Sequence, residues 1–401
     1  MSNSKISFSG DTSILMRDGT SKNIDELEIN DKIMSPDGKL VTISEIIKKH
    51  KDMYYVYPVR GSPYSISEDS LISLKASMAP GISWASHGNY YIVAWLEKFK
   101  YVTKSFLTNT YGTKKKAFKA AKNYLKNEIP NNEKCTNYGD IVTTSVGDYV
   151  DIPEKIKRLY KVFSSGIEFK GKKVDVDPYI LGYWLGDGSS RDTVITTAEP
   201  EIVEYFENFA EDNGLLFKKQ GKSKYNYAVT SGINGGPIGR NSFMNFLKKN
   251  NLIYNKHIPD DYQFNSREKR LKLLAGLIDS DGYYIHGCYD FIFKSETLAD
   301  DTIFLARSLG FKAYKKQVQK TCTNSARGRV TGTYYRFYIS GEGLDEIPSI
   351  LERKQATKRT QIKNASVSGF VVFYEGKEEC YQLKTKSKAS LLLDDFTVVH
   401  V

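Results

Sequence analysis

Apolar positions fall along this chain in three rhythms. Between residues 12 and 75 they come as short stretches broken by turn signals such as Arg17-Asp18-Gly19 and Pro36-Asp37-Gly38, the pattern of compact β structure. The far end repeats that texture. FVVFYEGKEECYQLKT (370–385) and SLLLDDFTVVHV (390–401) predict strands rich in β-branched and aromatic residues, separated by polar turns. From about 90 to 130 the chain turns aromatic and basic. There YYIVAW precedes TKKKAFKAAKNYLKN, whose spacing predicts a helix with lysine over much of its surface.

The third rhythm is helical and occurs twice. ILGYWLGDG (180–188) aligns with LAGLIDSDG (274–282) when Asp187 is placed on Asp281. Each copy is followed by an apparent strand pair and then by a helix ending at glycine, EIVEYFENFAEDNG or DDTIFLARSLG. A basic patch comes next (FKKQGKSK, FKAYKKQVQK), then a strand ending in Ser-Gly (YNYAVTSG, YYRFYISG). Five features in one order make an internal repeat.

A single apolar helix ending in Asp-Gly is most simply a buried helix stopped by a left-handed glycine. Two copies imply more. Gly182 aligns with Gly276 and Gly186 with Ser280, so each helix carries two small residues four apart on one face. That spacing lets two backbones approach closely. If the copies pack on each other, Asp187 and Asp281 arrive side by side. Two carboxylates that close require a cation or a proton between them. Carboxylate oxygens, completed by substrate phosphate and water, suit Mg²⁺, which can activate water and stabilise a leaving oxygen in phosphodiester cleavage. Tyr183 and Trp184, inside the first motif, are expected in the core. His257 and His286 lie nearby in sequence but lack ligand spacing and are given no metal role.

Composition supports a polyanionic partner. Lys and Arg number 58 against 47 Asp and Glu, a formal charge of +11 with a pI near 9.1. The 28 Tyr and 20 Phe exclude a disordered chain. Cys135, Cys288, Cys322 and Cys380 form no CxxC pair, which argues against a disulfide scaffold or zinc finger. The start, MSNSKISFSGD, lacks the apolar stretch of a signal peptide, and no run reaches membrane-span length, so an intracellular protein is expected. A chain of 401 residues allows two or three domains.

On these motifs the sequence resembles the LAGLIDADG homing endonucleases, the single-chain kind with two motifs, of the lineage of the yeast vacuolar-ATPase intein and the mating-type switching endonuclease. The likeness of the repeats covers about residues 174–362. It implies an α+β fold: a mainly-β Hint-like domain plus a pseudo-two-fold LAGLIDADG endonuclease domain of two αββαββα repeats. The Hint-like domain is expected to be discontinuous, 1–165 and 363–401, with 80–150 as a DNA-recognition insertion. The endonuclease domain is expected at 166–362, with repeats at about 174–260 and 268–362.

The resemblance implies site-specific double-strand cleavage of DNA at a long, rare target. Asp187, Asp281, Gly186 and Ser280 would hold Mg²⁺, with Mn²⁺ a possible substitute. Asn255-Lys256-His257-Ile258-Pro259 matches the family's lysine segment, so Lys256 would polarise water or offset phosphate charge. Its counterpart lies in ILERKQATKR, which offers Lys354, Lys358 and Arg359; Lys358 is the expected one. DNA contacts are expected from Lys114, Lys115, Lys116, Arg191, Lys222, Lys224, Lys294, Arg327 and Arg329. A monomer with internal pseudo-symmetry, acting in the nucleus on double-stranded DNA and not at a membrane, is implied.

The flanks resemble the two ends of a Hint domain with its splicing positions altered. Ser7 falls at the initial nucleophile, Glu68-Asp69 replaces the segment that would supply a histidine, and His400 matches the penultimate histidine. Val401 replaces the cyclising asparagine, so loss of protein splicing is expected. A different class of protein, a non-cutting DNA- or RNA-binding relative that keeps the fold, is the alternative.

Overall fold

The computed structural model describes residues 6–232, 240–325, 328–358, 364–387 and 390–400. They divide into two compact units, one formed by Met1–Ser164 with Val367–Val401 and the other by Ser165–Ser366. Among the described residues no helix is long and apolar enough to cross a membrane.

The first unit is built on a long antiparallel ribbon in which Leu40–Pro58 pairs with Phe370–Thr385, from Pro58 opposite Phe370 to Ile43 opposite Thr385. Alternation along the 370–385 stretch produces that strand. Ile6–Phe8 lies between Phe370–Thr385 and Tyr64–Ser67 in the same sheet. A second sheet has the order Ile141–Ser145, Leu71–Ala76, Tyr160–Phe163, Val367–Ser368. Ile14, Ile33, Ile43, Val56, Ile66, Leu74, Leu383 and Leu391 form part of the core of this unit.

Between these sheets in the chain sits a module with its own small core. Gly81–Ala85, Tyr90–Glu97 and Lys100–Leu107 form a three-stranded sheet, and the helix Lys114–Asn127 packs on it through Ala121 against Val93, Trp95 and Phe106. Thr113 caps this helix by accepting from Lys116 N at 3.2 Å.

The second unit wraps two repeats around one core. Its centre is a pair of packed helices, Pro178–Asp187 and Arg267–Asp281. The first is capped by Asp177, whose carboxylate accepts from Tyr179 N at 2.8 Å and Ile180 N at 3.3 Å, with Pro178 in the first turn. Apolar on all sides, it is buried from Pro178 through Leu185.

The repeats have diverged around this pair. In the first copy the expected strand pair is reduced to Val194–Thr196, with a lone bridge from Gly188 to Ile195, and the sheet has three strands, Val194–Thr196, Asn226–Thr230 and Leu216–Lys219. In the second copy both strands form, and the sheet has four: Tyr283–Ile285, Cys288–Phe293, Gly328–Ile339 and Lys316–Ser325. The closing helix of the first copy is Ser242–Lys249. The second copy ends in two 3₁₀ turns, Leu344–Glu346 and Glu352–Lys354. Gly343, with φ of 81°, and Pro348, which has no N–H to give, explain that change.

Candidate active site

The central helices touch where their side chains vanish. A β-carbon on Gly182 would lie 2.1 Å from Leu273 O, and one on Gly276 would lie 2.2 Å from Tyr179 O and 2.6 Å from Tyr183 N. Further down, a β-carbon on Gly186 would meet Ser280 Oγ at 2.0 Å and Asp281 Oδ2 at 3.1 Å. Ser280 fits because Gly186 faces it, and its hydroxyl donates back to Gly276 O at 2.9 Å. The four small residues of the motifs therefore form one backbone-to-backbone seam.

The glycines that follow the aspartates have a different role from the expected left-handed stop. Gly188 and Gly282 have φ of −78° and −75°. A β-carbon on Gly188 would lie 2.3 Å from Trp184 O, and one on Gly282 would lie 2.8 Å from Ile278 Cα. Close packing against the preceding turn, not backbone chirality, requires them.

At the lower end of the seam Asp187 and Asp281 come together. Burial first, and then the charge of Asp281, push the Asp187 carboxyl up to about 6 against the pull of Lys354 and Lys256. Burial also raises Asp281, opposed by Lys256 and Lys354. Asp187 is half-buried and Asp281 is exposed as a residue, although burial is the main influence on both carboxyl groups.

Two lysines frame them. Lys256 Nζ donates to Leu185 O at 3.0 Å, Gly186 O at 3.1 Å and Gly188 O at 2.6 Å, and lies 5.0 Å from the centre of the Trp184 ring. Lys354 Nζ donates to Ile278 O and Asp279 O at 2.8 Å and to Ser280 O at 3.1 Å. Each ammonium thus closes the end of one motif helix, satisfying orphan carbonyls at the negative pole of the dipole. Burial lowers Lys256 to about 8 and lowers Lys354 as well, while the nearby carboxylates act in the opposite sense.

The counterpart of Lys256 is therefore Lys354, and the expectation of Lys358 is corrected. Lys358 is exposed, whereas Lys354 is 6% exposed and makes the matching set of three carbonyl bonds. Spacing carried the signal: Lys256 follows Asp187 by 69 residues and Lys354 follows Asp281 by 73, the nearest of the candidates. Arg359 lies outside the described residues.

Among the described residues no cluster of three or more His, Cys, Asp and Glu side chains is gathered for a metal. The donor set at the seam is two carboxylates with the carbonyls of Gly186 and Ser280. Each of these carbonyls already accepts one lysine hydrogen bond and has a second lone pair free by chemistry. Such hard oxygen donors fit a divalent cation that draws its remaining ligands from water and phosphate. His257 Nδ1 lies 2.8 Å from Asn255 O, and His286 occupies a turn at φ 49°.

Two further acids, the buried Asp279 and the half-buried Asp301, left no signal in the sequence. Asp279, inside the second motif, accepts from Tyr179 Oη at 2.6 Å, Ile350 N at 2.7 Å and the Ser349 hydroxyl. Asp301 accepts from Ile258 N at 2.8 Å, and burial pushes it up to about 6 against the opposing hydrogen bond from Ile258 and the charge of His257.

Alternation defines a face of the second unit's sheets turned away from the core. Phe337 and Ile339 are buried, so Arg336 and Tyr338 point the other way, together with Asp290 and Lys316. Arg336 holds Asp290 through Nε at 3.0 Å and a second nitrogen at 2.5 Å, with the guanidinium 5.0 Å from the Tyr338 ring. Arg191, Lys222, Lys224 and Lys294 are exposed in this unit, and Lys114, Lys115 and Lys116 are exposed in the other. Arg327 and Val401 lie outside the described residues, as do the side chains of Arg329 and His400.

In the first unit the position expected for an initial nucleophile lies in the core. Ser7 is fully buried, its N–H donates to Ser70 Oγ at 2.8 Å, and its hydroxyl accepts from Lys51 Nζ at 3.1 Å. Lys51 also pairs with Asp69 at 2.7 Å. Burial would raise Asp69, but hydrogen bonds from Lys51 and Ser67 prevail and hold it below the usual carboxylate range. The cation that meets Ser7 is a lysine on the long ribbon, which motif matching could not reveal.

Comparison with known proteins places these segments. The family described as Hom_end-associated Hint matches residues 7–79, and the family described as Homing endonuclease matches residues 257–366. The replicative DNA helicase DnaB of Mycobacterium intracellulare is 31% identical over 56% of this chain and 33% of its own length. The catalytic polypeptide of the V-type proton ATPase of Candida tropicalis is 22% identical over 69% of this chain and 32% of its own. The homothallic switching endonuclease of Saccharomyces cerevisiae is 26% identical over 44% and 37%. The chain thus spans about a third of the length of the curated relatives it matches. The crystal structure of I-DmoI in complex with DNA and Mn covers 41% of this chain and 89% of that one, at 17% identity and a TM-score of 0.27. At that score the superposition adds nothing to the family matches.

Proposed function

We propose that this chain, a protein of Hint plus homing-endonuclease type, cuts both strands of DNA at a specific site by hydrolysis that depends on a divalent cation, with Mg²⁺ as the natural ion. The observation that carries the proposal is the seam itself. It brings two acids from the ends of two symmetry-related helices together, between the half-buried Lys256 and the buried Lys354, with Asp281 exposed to solvent. A stability-driven interface would not retain two mutually repelling carboxylates.

Asp187 and Asp281, with Gly186 O and Ser280 O, would hold the cation. When bound, the cation supplies Lewis acidity and a water of lowered pKa. The chain's own residues do the rest. The glycine seam fixes the separation of the carboxylates, because no side chain can spread the helices. The helix-end carbonyls hold the Lys256 and Lys354 ammoniums, which offset the charge that grows on the phosphorus oxygens as water attacks and the P–O bond to the leaving sugar breaks. The pseudo-two-fold axis between the helices matches the dyad of a duplex, so each half meets one strand. A single chain would therefore act as a monomer. The sheet faces bearing Arg336, Tyr338 and Lys316 would read base edges in the major groove, and the exposed lysines would hold phosphates. A DNA substrate makes the nucleus the compartment of action, which the distribution of a fluorescent fusion would check.

Splicing is proposed to be lost, because the Ser7 hydroxyl is tied to an ammonium already paired with Asp69 and offers no activated nucleophile. A fusion with added flanks at both ends should keep its full mass, and release of either flank would refute this.

The nuclease reading is tested with a DNA target selected from a randomised library. Asp187→Asn and Asp281→Asn should each abolish cleavage while leaving binding largely intact. Cleavage by either variant at the parent rate would overturn the assignment, and salt-sensitive binding by the parent without any cutting would favour a non-cutting relative.

A further inference from the structure

The two lysines are held by different anchors. The segment carrying Lys354 is tied to the second motif helix by Asp279, which takes Ile350 N and the Ser349 hydroxyl, and by Tyr289 Oη, which donates to Lys354 O at 2.9 Å. The segment carrying Lys256 meets its own motif helix through the Lys256 ammonium, and among the described residues no counterpart of the Asp279 anchor ties its backbone to that helix. Before the lysine, Tyr254 N donates to Ser190 O at 2.7 Å, with Tyr254 in the left-handed region at φ 58°. After it, Ile258 N donates to Asp301 Oδ2 at 2.8 Å. Gln263 Nε2 donates to Asp301 O at 3.3 Å, which ties the following turn to the same residue.

Asp301 belongs to the helix Glu296–Ser308 of the second repeat, yet it fastens Ile258, two residues beyond the lysine that closes the first motif helix. Its position is not repeated by symmetry. The matching helix Pro200–Asp212 has Tyr205 at the equivalent place, and Tyr205 donates to the helix cap Asp177 at 3.2 Å. A side chain needed only for the general fold would be expected in both copies; this one is present where a lysine has to be held from outside its own repeat.

From this arrangement we infer that Asp301 is a positioning residue for Lys256 and thereby governs the cutting of one of the two DNA strands. The inference rests on the nuclease reading above. Asp301 touches no reacting atom. It fixes the backbone two residues beyond Lys256, so its loss lets the ammonium drift from the Asp187 end of the seam while Lys354, held by Asp279, keeps its place.

The test uses the full chain and a supercoiled plasmid carrying a cleavable target. Asp301→Ala should slow one strand by at least about tenfold relative to the other, so that nicked circle accumulates. The uncut strand should be the one spared by Lys256→Met. Asp301→Asn, which keeps an acceptor oxygen for Ile258 N, should recover most of the lost strand's cleavage. Equal slowing of both strands in Asp301→Ala, or linearisation at the parent rate, would overturn the inference. If the alanine variant does not fold by thermal melting, Asp301→Ser replaces it under the same two outcomes. Failure of the unsubstituted chain to cut would instead refute the nuclease reading.

Discussion

At the scale of single residues the seam makes two quantitative demands. The first is absence of volume. Gly182→Ala places a methyl group 2.1 Å from Leu273 O, so the helices must separate. A loss of about 3 kcal/mol is expected in urea unfolding, and a loss below about 0.5 kcal/mol would mean the seam is looser than described. The second demand is electrostatic. The folded pKa of Asp187 is raised, so ionising it opposes folding: the unfolded chain releases the proton near pH 4 and the folded chain near 6. Without divalent cation, Asp187→Asn should therefore stabilise the protein by about 1 kcal/mol above pH 6, after allowance for solvent screening of a half-buried group. The gain should shrink as pH falls from 6 to 4. Added Mg²⁺ should raise the melting temperature of the parent and leave that of the variant nearly unchanged. An Asn variant less stable than the parent at pH 7 would contradict the crowded-carboxylate account.

These residues were unequally legible. Gly182, Gly186, Gly276 and Ser280 announce themselves because closeness of two helices is a spacing property, visible in any sequence with four-residue periodicity. Lys354 was harder, since a charged side chain buried on backbone carbonyls looks like any lysine in a polar run; only its distance from Asp281 distinguishes it from Lys358. Asp301 and Lys51 left no local trace, because their partners are 43 and 44 residues away in the chain.

At the scale of elements, periodicity located the Phe370–Thr385 strand of the long ribbon and the helix Lys114–Asn127, but it read the 19-residue partner strand Leu40–Pro58 only as short β stretches and overstated the symmetry of the repeats. Val194–Thr196 stands where a strand pair was expected, and Gly343 with Pro348 converts the last helix into 3₁₀ turns. The helix Lys114–Asn127 raises its own question. Its first turn carries Lys114, Lys115 and Lys116 at the positive pole of the dipole, which lowers helix stability. Such a cost is understandable if the ammoniums meet phosphate. Replacing all three with Ala should weaken DNA binding and reduce the slope of log K against log salt by about 2 to 3, with the cleavage rate of the bound complex unchanged. An unaltered slope would assign these lysines to the solvated surface.

At the scale of the whole molecule, each unit is explained by a different constraint. The first keeps the ribbon and sheets of a Hint segment, with Ser7 tied to Lys51 and Asp69. The second has turned one αββαββα plan into two unequal halves around a shared core, which suits a target whose half-sites differ in sequence. In the function proposed above, the paired aspartates drive cation-dependent cutting at a rare site. The most direct test is to digest genomic DNA of the source organism with and without Mg²⁺, to map new double-strand ends by sequencing, and to run Asp281→Asn in parallel. One or a few recurrent ends that require Mg²⁺ and disappear in the variant are expected. Ends that persist in Asp281→Asn, or that form equally without a divalent cation, would contradict that function.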